Sequence, residues 1–377
     1  MLIDRTIGDK IKSILLKEPK VIILYGPRQA GKTTLINRVT AQIEKKLYFV
    51  GDDLYAQNLF KNNELEALKR VVGDHKILII DEAQRIENIG LTLKLLVDNL
   101  PITVFVSGSA SFDLANKINE PLTGRTKTFL LYPLSYTEIS EKYRQTSNDL
   151  VIGEMLRFGM YPKVHTLSGD QEKQDYLYEY INTYLYKDIL MFEDVRKPKK
   201  IIDLLTLLAL QLGKEVAISE LAQNLSLSQK VVFNYLDILE KMFVIINLRG
   251  FSRNLRKEIS KTSKYYFIDV GVRNALLRNF NELKLRPDNG ELFENWFILE
   301  KYKLAGNSGK PANFYFWRTY DQQEIDLIEE RDGKLTGFEC KFSAKKEPAA
   351  PKDWINTYPN SSYAVVNSNN WFNYLQG

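Results

Sequence analysis

A chain of 377 residues is too long for one ordinary domain and long enough for two or three. Its 44% hydrophobic and 26% charged residues are those of a water-soluble globular protein, and a net charge of +5 is too mild to settle the partner. One cysteine, Cys340, excludes an intramolecular disulfide framework and fits a reducing compartment, while two distant histidines, His75 and His165, and no C-x-x-C pair argue against a zinc site.

The first residues, MLIDRTIGDKIKS, carry charge throughout and are no signal peptide, and no apolar run reaches about 18 residues, so a cytoplasmic protein without a membrane span is expected. Residues 1–18 predict a helix, with Ile7, Ile11, Ile14 and Leu15 at helical spacing. VIILYGPRQAGKTT (21–34) then reads as strand, loop and helix start, and the loop matches G-x-x-x-x-G-K-[ST] at Gly26, Gly31, Lys32 and Thr33. In such a loop backbone N–H groups turn inward around phosphate oxygens, which nominates Gly26, Pro27, Arg28, Gln29, Ala30, Gly31, Lys32, Thr33 and Thr34 as the ATP-contacting stretch. Lys32 would reach the β/γ oxygens and the Thr33 hydroxyl would hold Mg²⁺.

KLYFVGDD (46–53) predicts a second strand and residues 54–72 a helix. KILIIDEAQ (76–84) is an apolar run bounded by charge, as in a buried parallel strand, and ends in Asp81 and Glu82. Behind a complete phosphate loop, Asp81 would hold the magnesium shell and Glu82 would polarise the attacking water. A helix over 91–100 and a strand over 102–110 follow, and the alternation predicts a parallel sheet with helices on both faces. Ser107, and after it Ser109, could contact the γ-phosphate or the attacking water, or simply satisfy a local turn. Arg125, in LTGRTKTFLLYPLSYTE (122–138), is either an arginine finger, supplied in cis or to a neighbouring subunit, or a solvated loop arginine.

The two nucleotide motifs, DEAQ, SGS, L-x-G-R and YPLSYTE, in this order, followed by FGMYPKV (158–164) and YINTYLYKDI (180–189), resemble a family of prokaryotic AAA-type ATPases. Its members usually carry a nuclease-like C-terminal domain of unknown function, DUF4143. The resemblance implies an oligomeric ATPase core and covers nearly the whole chain.

Tyr176, Tyr180 and Tyr184 lie on one stripe of a predicted amphipathic helix over 171–194, where packing is the favoured role over base stacking. EDVRKPKK (193–200) is a candidate linker. Residues 216–245 read as helix, tight turn, helix, with Ser219 and Ser228 as caps; 242–251 and 264–270 would be the strands of a wing. Arg249, Arg253, Arg256, Lys257, Lys261 and Lys264 form a basic run suited to a phosphate backbone, against one acid, Glu258. The same winged fold could serve protein packing instead.

Residues 290–304 predict a helix bearing Glu291 and Glu294; 312–330 predict two strands and 333–343 a third, ending in Glu339-Cys340-Lys341. Asp326 on one strand and Glu339-x-Lys341 on the next resemble the PD-(D/E)-x-K nuclease arrangement, with Glu294 as the helix acid and Ile325 where that pattern has proline. Asp326 and Glu339 could share Mg²⁺ or Mn²⁺, Glu294 could tune it or hold a second ion, and Lys341 could activate water. Alternatively these charges form a buried salt-bridge cluster in a degenerate nuclease fold. Cys340 points to the opposite strand face, as a core residue.

The expected architecture is α/β: an AAA-type parallel sheet with a helical extension (1–195), a winged helix-turn-helix (196–270) and a nuclease-like α/β domain (271–377). The expected function is Mg²⁺-dependent ATP hydrolysis by a homo-oligomer, coupled to DNA binding or processing. The alternatives are an ATP-gated DNA-binding switch with an inactive nuclease-like domain, and an ATPase acting on a protein partner.

Overall fold

The computed structural model describes residues 3–375 except 16, 18, 19, 63, 110–121, 123, 191–196, 253–262 and 344–347. The chain divides into two compact units, Leu2–Pro133 with Lys241–Phe243, and Leu134–Glu240 with Val244–Gly377.

In the first unit, β1 (Val21–Tyr25), β2 (Lys46–Val50), β3 (Ile77–Asp81), β4 (Thr103–Gly108) and β5 (Thr126–Leu130) form a wholly parallel sheet in the order β2-β3-β4-β1-β5. The uninterrupted apolar runs of β1 and β3 follow from burial on both faces. Val21, Ile23, Leu78 and Ile80 enter one core, whereas Ile22, Leu24, Ile77 and Ile79 enter the other. The helix predicted over 54–72 is two helices, Leu54–Lys61 and Leu65–Val72, with Glu64 extended at the start of the second.

In the second unit, β6 (Glu215–Val216), β7 (Ile245–Gly250), β8 (Ser263–Phe267), β9 (Asn313–Arg318), β10 (Glu324–Arg331), β11 (Lys334–Cys340) and β12 (Ser362–Val366) form one sheet, ordered β12-β11-β10-β9-β7-β8-β6. The join is a parallel pairing of β7 with β9, Arg249 opposite Tyr315 and Gly250 opposite Phe316. Strands expected in the wing and in the C-terminal segment therefore share a single hydrogen-bonded layer.

The helices Ile218–Leu225 and Gln229–Lys241 flank a turn in which Ser226 is left-handed (φ 52°). Ser228 caps the second, its hydroxyl accepting from Val231 N–H at 3.4 Å. Ser219 does not cap the first: it lies inside the first turn, and Ala217 holds the cap position. Tyr180 is buried with its hydroxyl 2.7 Å from that of Tyr161, a packing role. In the FGMYPKV segment Gly159 is left-handed (φ 73°), and a Cβ there would lie 2.0 Å from the Asp269 carboxylate. That carboxylate accepts from the N–H groups of Met160 at 2.5 Å and Val272 at 3.1 Å.

Of the basic run, Arg249 is exposed, and Arg253, Arg256, Lys257 and Lys261 lie outside the described residues, as does Glu258. Lys264 departs from expectation: it is only 2% exposed and points inward from β8, so it cannot meet a phosphate backbone from the surface.

Candidate functional site

The phosphate loop leaves the C-terminal end of β1, where parallel strands present their ligand edge. Gln29 and Gly31 are left-handed (φ 61° and 96°), so successive N–H groups turn to one side and the helix Lys32–Val39 begins directly behind them. Gly26 is required by close approach, since a Cβ would stand 2.2 Å from the Leu131 carbonyl oxygen. Lys32 is buried inside the loop, its ammonium donating to the carbonyls of Gly26 at 2.9 Å and Pro27 at 3.0 Å. Ala30 is buried beneath the loop; Thr33 and Thr34 are exposed at the helix start.

The Thr33 hydroxyl donates to Asp81 Oδ2 at 2.6 Å, bringing the two expected magnesium oxygens side by side. That pairing fits a small hard cation, which takes oxygen ligands of this type. Asp81 also accepts from Tyr48 at 2.9 Å and, through Oδ1, from the Ser107 hydroxyl. Burial and the Asp81 bond push the Tyr48 phenol well above its usual range, so it stays a donor. Ser107 is fully buried and accepts from Glu82 N–H at 3.2 Å. Its hydroxyl thus joins the Asp81 carboxylate to the Glu82 backbone, because β4 lies beside β3 and carries Ser107 alongside Asp81. Ser109 instead meets Gln84 Nε2 at 3.1 Å. Glu82 sits in a left-handed conformation (φ 55°), and its carboxylate accepts from Gln84 Nε2 at 2.5 Å.

Arg125 precedes β5, and the register that sets Val21 beside Thr126 leaves it at the N-terminal end of the sheet. The five-residue span of β1 separates that end from the loop by roughly 16 Å at about 3.3 Å per residue. Arg125 pairs there with Asp98, at the end of the sheet away from its own loop. Arg5 was not anticipated: it donates to the Ala30 carbonyl at 2.7 Å and the Tyr132 carbonyl at 2.6 Å, tying the phosphate loop to the chain beyond β5. Tyr48 and Arg5 lie in no fixed motif, whereas Gln84 is the Q of DEAQ and could have drawn notice.

In the second unit, β10 and β11 pair antiparallel with Leu327 opposite Phe338, a register that sets Asp326 beside Glu339. Glu294, from the helix Asn289–Ser308, and Lys341 join them around a cleft of about 650 Å³ that also receives Lys264 and Glu324. Lys341 lies 2.7 Å from Glu339, and Cys340 N–H donates to Asp326 Oδ2 at 2.8 Å while its thiol is buried. The Lys264 ammonium is 3.7 Å from Glu294 and in direct contact with Glu324. Burial, then the charge of Asp326, pushes Glu294 up to about 8 despite Lys264 and the Tyr266 hydroxyl. The same two causes bring Glu339 to about 7. Burial opposes the charge on Lys264, but Glu294, Asp326 and Glu324 outweigh it and hold its ammonium protonated. Among the described residues no group of three or more His, Cys, Asp or Glu side chains is arranged to hold a metal ion. With a lysine ammonium lodged between the acids, the cleft as built does not fit the divalent ion expected there.

A phosphate loop on the ligand edge of a parallel sheet, with one strand between the loop strand and the acid-bearing strand, defines a P-loop ATPase of the AAA type. The sequence matches the AAA domain family over residues 18–140, a domain of unknown function (DUF8612) over 151–283 and another (DUF4143) over 289–376. It is 31% identical over 347 residues to an uncharacterised protein of Mycobacterium tuberculosis, covering 90% of this chain and 74% of the relative. A second uncharacterised relative, from Methanocaldococcus jannaschii, is 26% identical over 329 residues (82% and 72%). The chain belongs to the family of AAA-type P-loop ATPases that carry a DUF4143 C-terminal domain. Solved structures with similarity include a Pyrococcus horikoshii signal-transduction ATPase with numerous domains (12% identity, TM-score 0.30, 81% of this chain and 47% of that one). Another is AMPPCP-bound DnaA of Aquifex aeolicus (16% identity, TM-score 0.29, 62% and 86%). The chain spans about half the length of the first. No helix among the described residues is long and apolar enough to cross a membrane.

Proposed function

We propose that this ATPase hydrolyses ATP with Mg²⁺ and uses its nucleotide state to control DNA binding by the helix-turn-helix segment. The observation that carries the first half is the 2.6 Å bond from Thr33 to Asp81 beside a lysine-filled phosphate loop. Gly26 to Thr34 would wrap the phosphates, Lys32 would neutralise the β/γ oxygens, and Thr33 with Asp81 would hold Mg²⁺. Bound magnesium would screen the phosphate charge. Glu82 would orient the attacking water once its carboxylate leaves Gln84, and Ser107 would keep both acids in place. Arg125, remote from its own loop, would act on a neighbouring copy in a homo-oligomer. Lys32→Ala and Glu82→Gln should each lower ATP turnover by about 100-fold or more, the first also weakening ATP binding. Unchanged turnover in either would remove the assigned role.

The DNA half is supported by the exposed residues of the second helix, Gln229, Lys230, Phe233 and Asn234, which the chain places between β6 and the paired strands β7 and β8. Amides and a lysine suit base edges and phosphates. Duplex DNA binding followed by fluorescence anisotropy should weaken in Lys230→Glu and lose about one unit of salt slope. Absence of salt-dependent DNA affinity would favour a protein partner for this face. For the C-terminal cleft, Glu294, Asp326, Glu339 and Lys341 have the order of a nuclease set. The buried Lys264 favours a nuclease-like fold used for binding, so no cleavage of single- or double-stranded DNA with Mg²⁺ or Mn²⁺ is expected. Cleavage abolished by Lys341→Ala would reverse that choice.

A further inference from the structure

Lys264 stands at position two of β8, the middle strand of the β6-β8-β7 layer, opposite Leu248 on β7 and Glu215 on β6. Its side chain leaves that layer and ends among acids from two other elements, Glu294 of the helix Asn289–Ser308 and Glu324 at the start of β10. The ammonium lies over the Phe316 ring, 5.4 Å from its centroid. At 2% exposure the charge has no access to solvent of its own. A buried ammonium persists where carboxylates surround it, and buried acids this close stay ionised only with a cation beside them, taking up a proton otherwise. A divalent metal is one such cation; here a side chain occupies the position.

We infer that Lys264 is the resident cation of the C-terminal cleft, a built-in counter-ion standing where a divalent metal would otherwise bind, so that the native cleft excludes divalent ions. The Lys264 ammonium carries one charge on a fixed stem, and it reaches Glu294 and Glu324 only because β7 pairs with β9 to make one sheet. Lys341 remains the partner of Glu339. Two lysines, with the Arg318 guanidinium 4.0 Å from Glu324, thus face the four acids Glu294, Glu324, Asp326 and Glu339, without an external ion. The cleft contains no residue of the phosphate loop.

The test uses the full chain without nucleotide, in an Asp81→Asn background that removes the carboxylate expected to hold magnesium at the nucleotide site. Mn²⁺ uptake is read from the loss of the free-ion electron paramagnetic resonance signal. The native cleft should take up no Mn²⁺, whereas Lys264→Met should bind one equivalent at least tenfold more tightly and lose it on further change of Glu339→Gln. Thermal melting supplies a second readout: Mn²⁺ should raise the melting temperature of Lys264→Met and leave the native cleft unmoved. If Lys264→Met does not fold, Lys264→Met with Glu324→Gln removes the ammonium together with its nearest acid and carries the same expectation. Mn²⁺ uptake by the unaltered cleft, abolished by Glu339→Gln, would overturn the proposal. So would failure of both lysine variants to bind Mn²⁺, since Lys264 would then not be what keeps the ion out.

Discussion

Arg5 holds two carbonyls at once, Ala30 inside the phosphate loop and Tyr132 beyond β5, with the planar fork of a guanidinium. Replacing it with Ala leaves the loop without its outer tether, and ATP affinity measured by calorimetry should fall about tenfold, the equivalent of roughly one charge-assisted hydrogen bond. Arg5→Lys should recover little, because one ammonium does not reproduce the fork. His165 sets a pH dependence. It is buried with Nδ1 3.1 Å from the Tyr143 hydroxyl, and burial, then the Lys142 charge, lowers it to about 4. A histidine whose folded value lies below its unfolded value favours folding in the neutral form. Its contribution is therefore complete above about 6.5 and is lost as pH falls from about 6.5 toward 4, roughly 3 kcal/mol over that window. Urea unfolding at pH 7 and pH 5 should show about 2 kcal/mol of this loss in the native sequence and a much flatter response in His165→Gln.

Elements meet at glycines where a side chain would not fit. Gly51 closes β2 against β3, donating its N–H to the Asp81 carbonyl at 2.7 Å, and a Cβ there would stand 2.2 Å from the Glu82 carbonyl oxygen. Gly159 ends the helix Asn148–Phe158 in a left-handed turn that faces the buried Asp269. Gly159→Ala adds backbone strain to a collision with a carboxylate that two N–H groups hold in place. It should destabilise by about 3 kcal/mol or more, at the upper end for one substitution. Denaturant titration measures the loss; a change below about 1 kcal/mol would mean that Asp269 moves aside freely.

At the scale of the whole molecule, the nucleotide motifs lie in the first compact unit and the acid cleft in the second. Calorimetry of the full chain should accordingly resolve two unfolding transitions. Mg²⁺ with a non-hydrolysable ATP analogue at 100 times its dissociation constant should stabilise the unit that binds it by about 2.7 kcal/mol. Lys32→Ala should abolish that shift and leave the other transition in place. A single transition that moves as one would instead mean that the units unfold together.

The phosphate loop was legible because its chemistry is contiguous. Glycine placement, the lysine and the threonine all act within one turn of backbone, and the apolar runs of β1 and β3 predict a doubly covered parallel sheet. Asp326, Glu339 and Lys341 were legible for a related reason, since one hairpin register and strand alternation bring them together. Lys264 was not. In the sequence it stands in a basic run, thirty residues before Glu294 and sixty before Glu324, and looks like a surface charge. Ser107, Tyr48 and Arg5 likewise acquired their partners from strand order and loop approach, as did Gln84 its bond to Ser109. Local motifs depend on backbone geometry that a few residues determine alone. The burial of a charge and its counter-ion depends on which strands pair, and the β7–β9 pairing exists only once the chain has folded.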